Sequence, residues 1–196
     1  MLIYAGILAV LYGAASVVHR VQLALAAESL CQAQPQSVGE EFSTTSMCWR
    51  VGVEVKANQR YVLHFLVTEP WSDGDGKYAT TPEGFSTHQF PLLLRGPAAM
   101  LRRSLNHPWF SPIVHVERYT GGRAPLVSVA MHKSEYERDV YVGSFTAPAD
   151  GELVLFVNDA VFLWWGDMGR FYANNAGTAE VQINECYEGA TPRCDP

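Results

Sequence analysis

The C-terminal third of the chain carries Gly151-Glu-Leu-Val-Leu-Phe-Val-Asn-Asp159 and, after a loop, Phe171-Tyr-Ala-Asn-Asn-Ala-Gly-Thr-Ala-Glu-Val-Gln-Ile183. Both pieces have the apolar, β-branched character of strands, and the residues between them include turn formers. Asn158-Asp159 stands where the first strand enters the loop. Asn174-Asn175-Ala-Gly177 stands where the loop returns to the second strand. Adjacent strand ends would bring Asp159, Asn174 and Asn175 together at one end of a sheet. A carboxylate and two amides offer the hard oxygen donors of which calcium takes about six to eight. The same side chains also close ordinary turns by bonding their own backbone.

The strand pattern continues upstream. Trp49-Arg-Val-Gly-Val-Glu-Val55 alternates with period two, which puts Trp49, Val51, Val53 and Val55 on one face. Tyr61–Val67 follows the short turn Lys56–Gln59, and the two segments read as a hairpin. Ile113–Glu117, Leu126–Met131, Val140–Phe145, Glu152–Val157 and Thr178–Ile183 are further strand candidates. Many short strands separated by Gly, Pro and Asp turns predict an all-β antiparallel sandwich. Residues 91–104 read as one short helix capping an open end of it.

Composition agrees. Of 196 residues 48% are hydrophobic and only 17% charged, and the 11 prolines suit a loop-rich β domain better than a helical bundle. The net charge of −6 argues against nucleic acid, which needs a concentrated basic face. The tightest basic group, Arg95, Arg102 and Arg103, reads as a solvated rim.

Residues 1–27 form the expected transmembrane anchor, with no charge before Arg20 and Gly13 and Ser16 available for helix packing. A cleaved signal peptide competes, with Ala24-Leu-Ala26 as its cleavage site, but the basic n-region is missing. Residues 28–47 read as a polar linker and residues 48–196 as the folded domain. Orientation is divided. Arg20 after the span favours a cytoplasmic domain. Cys31, Cys48, Cys186 and Cys194, an even set at the two ends of the domain, favour two disulfides in an oxidising compartment. Three pairings are open; a bridge from Cys31 or Cys48 to Cys186 or Cys194 would tie the ends of the domain together.

Two other segments carry chemistry. Trp71-Ser-Asp-Gly-Asp-Gly-Lys77 begins like an EF-hand loop, but Gly84 occupies the position of the bidentate Glu, so it reads as a surface loop that lends Asp73 or Asp75 to a cation at most. The loop 160–170 holds Phe162, Trp164, Trp165 and Met168, side chains that pack locally, dock on a partner, or meet sugar or lipid headgroups, with partner binding the functional expectation. No G-x-S-x-G, phosphate loop or paired-histidine motif points to a reaction, so a non-enzymatic role is expected.

Val142–Asp159 and Phe171–Ile183 together resemble the galactose-binding-like jelly roll of the bacterial galactophilic lectins (PA-IL-like). Those lectins carry an Asn-Asp at a strand end and Tyr-x-Asn-Asn-x-Gly before the last strand. The resemblance implies a jelly-roll topology and calcium bound by Asp159, Asn174 and Asn175, completed by a backbone carbonyl from residues 71–73. The His and Gln that contact sugar in those lectins have no matched counterparts here, since Thr87-His-Gln89 lies outside the matched segment. The loop between Asp159 and Asn174 is also longer. The expectation is a membrane-anchored periplasmic sandwich acting as an accessory or scaffolding subunit of a larger membrane complex, respiratory or photosynthetic. Its partners would be other subunits and, through the N-terminal helix, lipid. The alternative is a calcium-dependent carbohydrate-binding surface protein.

Overall fold

The run Leu153–Val157 is buried at every position, without the alternation of a strand that has one wet face. The computed structural model describes residues 17, 31, 41–105, 107–117, 125–161 and 169–186, and gives the reason. This strand lies in the middle of the smaller of two sheets, and its outer face is covered. Val154 packs with Cys31 and Cys48. Phe156 carries the Arg103 guanidinium 3.4 Å above its ring.

The strands are β1 (Glu41–Ser43), β2 (Trp49–Val55), β3 (Arg60–Asp73), β4 (Tyr78–Thr80), β5 (Pro112–Glu117), β6 (Val127–Ser128), β7 (His132–Lys133), β8 (Val140–Thr146), β9 (Gly151–Val157) and β10 (Ala176–Glu185). One helix, α1 (Leu92–Leu101), lies between β4 and β5. The six-stranded sheet runs β1-β10-β3-β8-β7 with β4 on β3, and the four-stranded sheet runs β2-β9-β5-β6. Every pairing is antiparallel. One apolar cluster draws on both sheets, Phe42, Leu63, Phe65, Trp71 and Phe145 from one and Trp49, Val114, Val116, Leu153 and Leu155 from the other. The protein is an all-β sandwich, as the strand pattern predicts.

Two expectations need correction, and the open disulfide pairing is resolved. β2 and β3 do not form a hairpin, because they belong to different sheets. The turn between them bonds to the start of the β8–β9 connection, Asn58 N–H to Ala147 O at 2.8 Å and Ala147 N–H to Gln59 O at 2.9 Å, and so carries the chain across the sandwich. The expected linker, residues 28–47, enters the sheet in its last part. β1 pairs with β10, Phe42 is fully buried, and Phe42 touches Trp49, Phe65 and Trp71 with ring centroids 5.6–5.8 Å apart. Its polar composition hid a single anchoring ring. Finally, Cys31 is bonded to Cys48 and not to a C-terminal cysteine. Cys48 precedes β2 at the end of the sandwich where Trp49 faces Leu155. Cys186 follows β10 at the opposite end, where its N–H bonds Arg60 O. Cys186 is also disulfide-bonded, and Cys194 lies outside the described residues.

Among the described residues no helix is long and apolar enough to cross a membrane. Of the expected anchor, residues 1–27, only Val17 is described.

Candidate functional site

Asp159 leaves β9 at the end of the sandwich where β3 finishes and β10 begins. Three local devices converge on it. Asn158, fully buried, is consumed by structure: its Nδ2 donates to Ser104 O, His107 O and Pro108 O, and its Oδ1 accepts from Ser104 N–H at 2.8 Å. That clamp pins the segment after α1. Arg103 N–H then bonds Asp159 O, and Val161 N–H bonds Leu101 O, both at 2.9 Å, so the helix is sewn to the strand end. On the other side Asp75 N–H bonds Asn174 O at 2.9 Å, joining the β3–β4 turn to the turn before β10.

These contacts bring Asp73, Asp159 and Asn174 onto one cavity, with Asn175 against Asp159. Asp73 is 8% exposed and Asp159 2%. Burial raises the Asp73 carboxyl above its ordinary value, against a hydrogen bond from Gly74 N–H. Burial first, and then the neighbouring Asp73, push Asp159 up to about 7, against hydrogen bonds from Ala160 N–H and Asn175. The cluster therefore holds two carboxyl groups that keep their protons to higher pH than free ones. Asp75 is exposed and stays outside it. The turn read as a surface loop thus has one aspartate buried at the site and one in solvent.

The amides point the same way. Asn175 Nδ2 donates to Thr44 O at 3.1 Å and to Asp159 Oδ2 at 2.9 Å. Both neighbours are acceptors, so the amide has one orientation, and its Oδ1 is left buried with no hydrogen-bond partner. Asn174 Oδ1 is likewise buried and unpartnered. Buried oxygens without a donor are costly unless a cation or water meets them. Among the described residues no three His, Cys, Asp or Glu side chains cluster as metal ligands. A cation here would rest on two carboxylates and two amide oxygens, a donor set that suits calcium.

The residues missed from the sequence are those with no local signal. Thr44 belongs to the presumed linker. Arg103, expected on a solvated rim, is 7% exposed, donates to Met47 O at 2.6 Å and reaches Cys48 Sγ at 3.6 Å. Its neighbours are also structural: Arg95 ties Phe90 O and His88 O, and Arg102 lies over the Trp109 ring. Tyr172 donates to Val157 O at 2.6 Å, and burial pushes its hydroxyl up to about 12. The proposed docking residues Phe162, Trp164, Trp165 and Met168 lie outside the described residues.

One pair has the look of catalysis. Ser104 Oγ and His107 Nδ1 are 2.6 Å apart. The serine is held at both backbone groups by Asn158, and the contact is a local one across three residues. In a serine triad Nδ1 faces the carboxylate and Nε2 the serine, the reverse of what this arrangement permits. It closes a turn.

No family model, curated protein or solved structure matches the chain. Nothing in those comparisons identifies a galactose-binding-like domain, and the likeness to the galactophilic lectins rests on the Asn-Asp and Asn-Asn-x-Gly residues themselves.

Proposed function

We propose that the chain is a non-enzymatic, calcium-dependent carbohydrate-binding module of the galactose-binding-like jelly-roll type. The observation that carries this reading is the pair of buried, unpartnered amide oxygens of Asn174 and Asn175 beside two buried carboxylates. Calcium held by Asp73, Asp159, Asn174 and Asn175 would satisfy all four and offer its remaining positions to sugar hydroxyls. The alternation of the chain between sheets, from β8 to β9 to β10, supports the jelly roll. The disulfides support an oxidising compartment, the periplasm or the cell exterior.

Two measurements test the reading. Calcium should raise the thermal midpoint, a chelator should reverse the gain, and Asp159→Ala should abolish it. At about 100 times the dissociation constant the gain is worth ~2.7 kcal/mol. Calcium should also cause retention on galactose resin. An unchanged midpoint would remove the metal, and absence of retention with calcium bound would remove the sugar.

A second reading, an accessory subunit of a membrane complex, is favoured by α1. Leu92 and Leu93 stand side by side 76% and 88% exposed, the kind of apolar surface a partner covers. Extraction in mild detergent followed by native electrophoresis tests it: a band at the mass of one chain would sink the idea.

A further inference from the structure

Helix α1 roofs a cavity of about 370 Å³ that opens beside Asp73 and Asp159. The volume lies within the range of small-molecule sites, roughly 300–1,000 Å³. Its lining is of two kinds. Asp73, Asp159 and Asn174 are polar, and Tyr78, Phe90, Leu94, Ala98, Leu101 and Phe171 supply apolar wall.

We propose that this cavity takes an apolar chain attached to the sugar, so that the ligand is an amphiphilic glycoside and not a free saccharide. That ligand class rests on the calcium and carbohydrate reading above. A bare sugar makes poor use of this space. Sugar rings stack on open aromatic faces, yet Tyr78, Phe90 and Trp109 already pack on one another. Tyr78 meets Phe90 edge-on with centroids 5.0 Å apart, and Phe90 meets Trp109 in the same way at 5.0 Å. To these α1 adds the aliphatic side chains of Leu94, Ala98 and Leu101. Such walls suit an alkyl chain. The polar lining fits the other half of the molecule. The cation would take the hydroxyls, and Lys77, which also lines the cavity and whose ammonium lies 5.4 Å from the Tyr78 ring centre, adds a donor. Leu94 both lines the cavity and is 49% exposed, which marks an apolar mouth through which a chain enters.

The test compares two probes with one head group. Methyl and octyl β-galactoside, the latter below its micelle-forming concentration, are titrated calorimetrically into the calcium-loaded full chain. Each buried methylene is worth about fourfold, so a net burial of three of the seven extra methylenes makes the octyl compound bind roughly 60-fold more tightly. Ala98→Phe, which fills the cavity from the roof, should bring the ratio of the two affinities close to one. Leu94→Gln, at the exposed mouth where folding is not at stake, should lower the ratio as well. Equal affinities in the native chain overturn the inference and leave the carbohydrate reading standing, as does an octyl advantage that survives both substitutions. Binding of calcium but of neither glycoside overturns the carbohydrate reading itself and the amphiphile with it.

Discussion

Asp159 is a carboxyl group buried beside another carboxyl, and its pKa of about 7 has a consequence for stability. In the unfolded chain it titrates near 3.9. Between about pH 4 and 7 the folded protein therefore holds a proton that the unfolded chain has lost, and stability falls as pH rises through that window. Above 7 the loss is complete, on the order of 4 kcal/mol. Asp73 is shifted in the same direction and adds to the slope. In chelator, urea unfolding should show a more stable protein at pH 5 than at pH 8, and Asp159→Asn should flatten the curve. Calcium competes with the proton, so its affinity should drop about tenfold per pH unit below 7. A chelated protein equally stable at both pH values would refute the burial argument. The gathering of Asp159, Asn174 and Asn175 was legible in the sequence because they flank two successive strand patterns, although the same residue types also close ordinary turns. Arg103 and Thr44 were not, because burial of one arginine among three, or of one threonine in a polar tract, leaves no local trace.

Individual strands were legible for the same reason that their partners were not. Period-two alternation reports which face of a strand is apolar and marked β2, while apolar runs marked β8, β9 and the first half of β3, whose second half runs on to Asp73. Sheet membership depends on where a turn sends the chain, and the β2–β3 turn makes its bonds with a segment about ninety residues away. Irregularities were hidden as well. The β2–β9 register slips between Arg50 and Glu54, around Gly52 at φ +73°. A second irregularity bears on the site. β10 shifts register against β3 between Ala176 and Ala179, and Gly177 sits there at φ +119°. A Cβ on Gly177 would come within 2.5 Å of Trp71 Cδ1 and 2.7 Å of Trp71 Cα. Gly177 O also accepts from both the N–H and the hydroxyl of Thr44, whose own carbonyl holds Asn175. Gly177→Ala should therefore cost about 2–3 kcal/mol in urea unfolding, through strain and overpacking. It should also weaken calcium-dependent stabilisation, because Asn175 is displaced. A loss of stability with calcium response intact would show that the bulge supports the strand and not the site.

Across the whole molecule the two ends of the sandwich carry different duties. One end has the short turn from β2 to β3 and Cys186; the other gathers the carboxylates, α1 and the Cys31–Cys48 bond. Arg103 joins these last features physically. Its guanidinium lies against both sulfurs, 3.9 and 3.6 Å away, and its backbone N–H holds the Asp159 carbonyl. The bond spans a sequence separation of 17 residues, and a loop of that size is worth about 3 kcal/mol against the unfolded chain. The double substitution Cys31→Ser with Cys48→Ser should lower unfolding free energy by about that amount. It should also weaken calcium binding several-fold, since Arg103 loses the surface that fixes its guanidinium. Coupling between two sites is reciprocal. Calcium should accordingly slow reduction of this bond by dithiothreitol, measured by timed alkylation and mass spectrometry of the peptides holding Cys31 and Cys48. Reduction of the Cys186 bond, at the far end of the sandwich, should proceed at the same rate with and without calcium. Equal calcium protection at both bonds would mean that the metal stiffens the sandwich as a unit, and that Arg103 is no link between its site and the N-terminal bond.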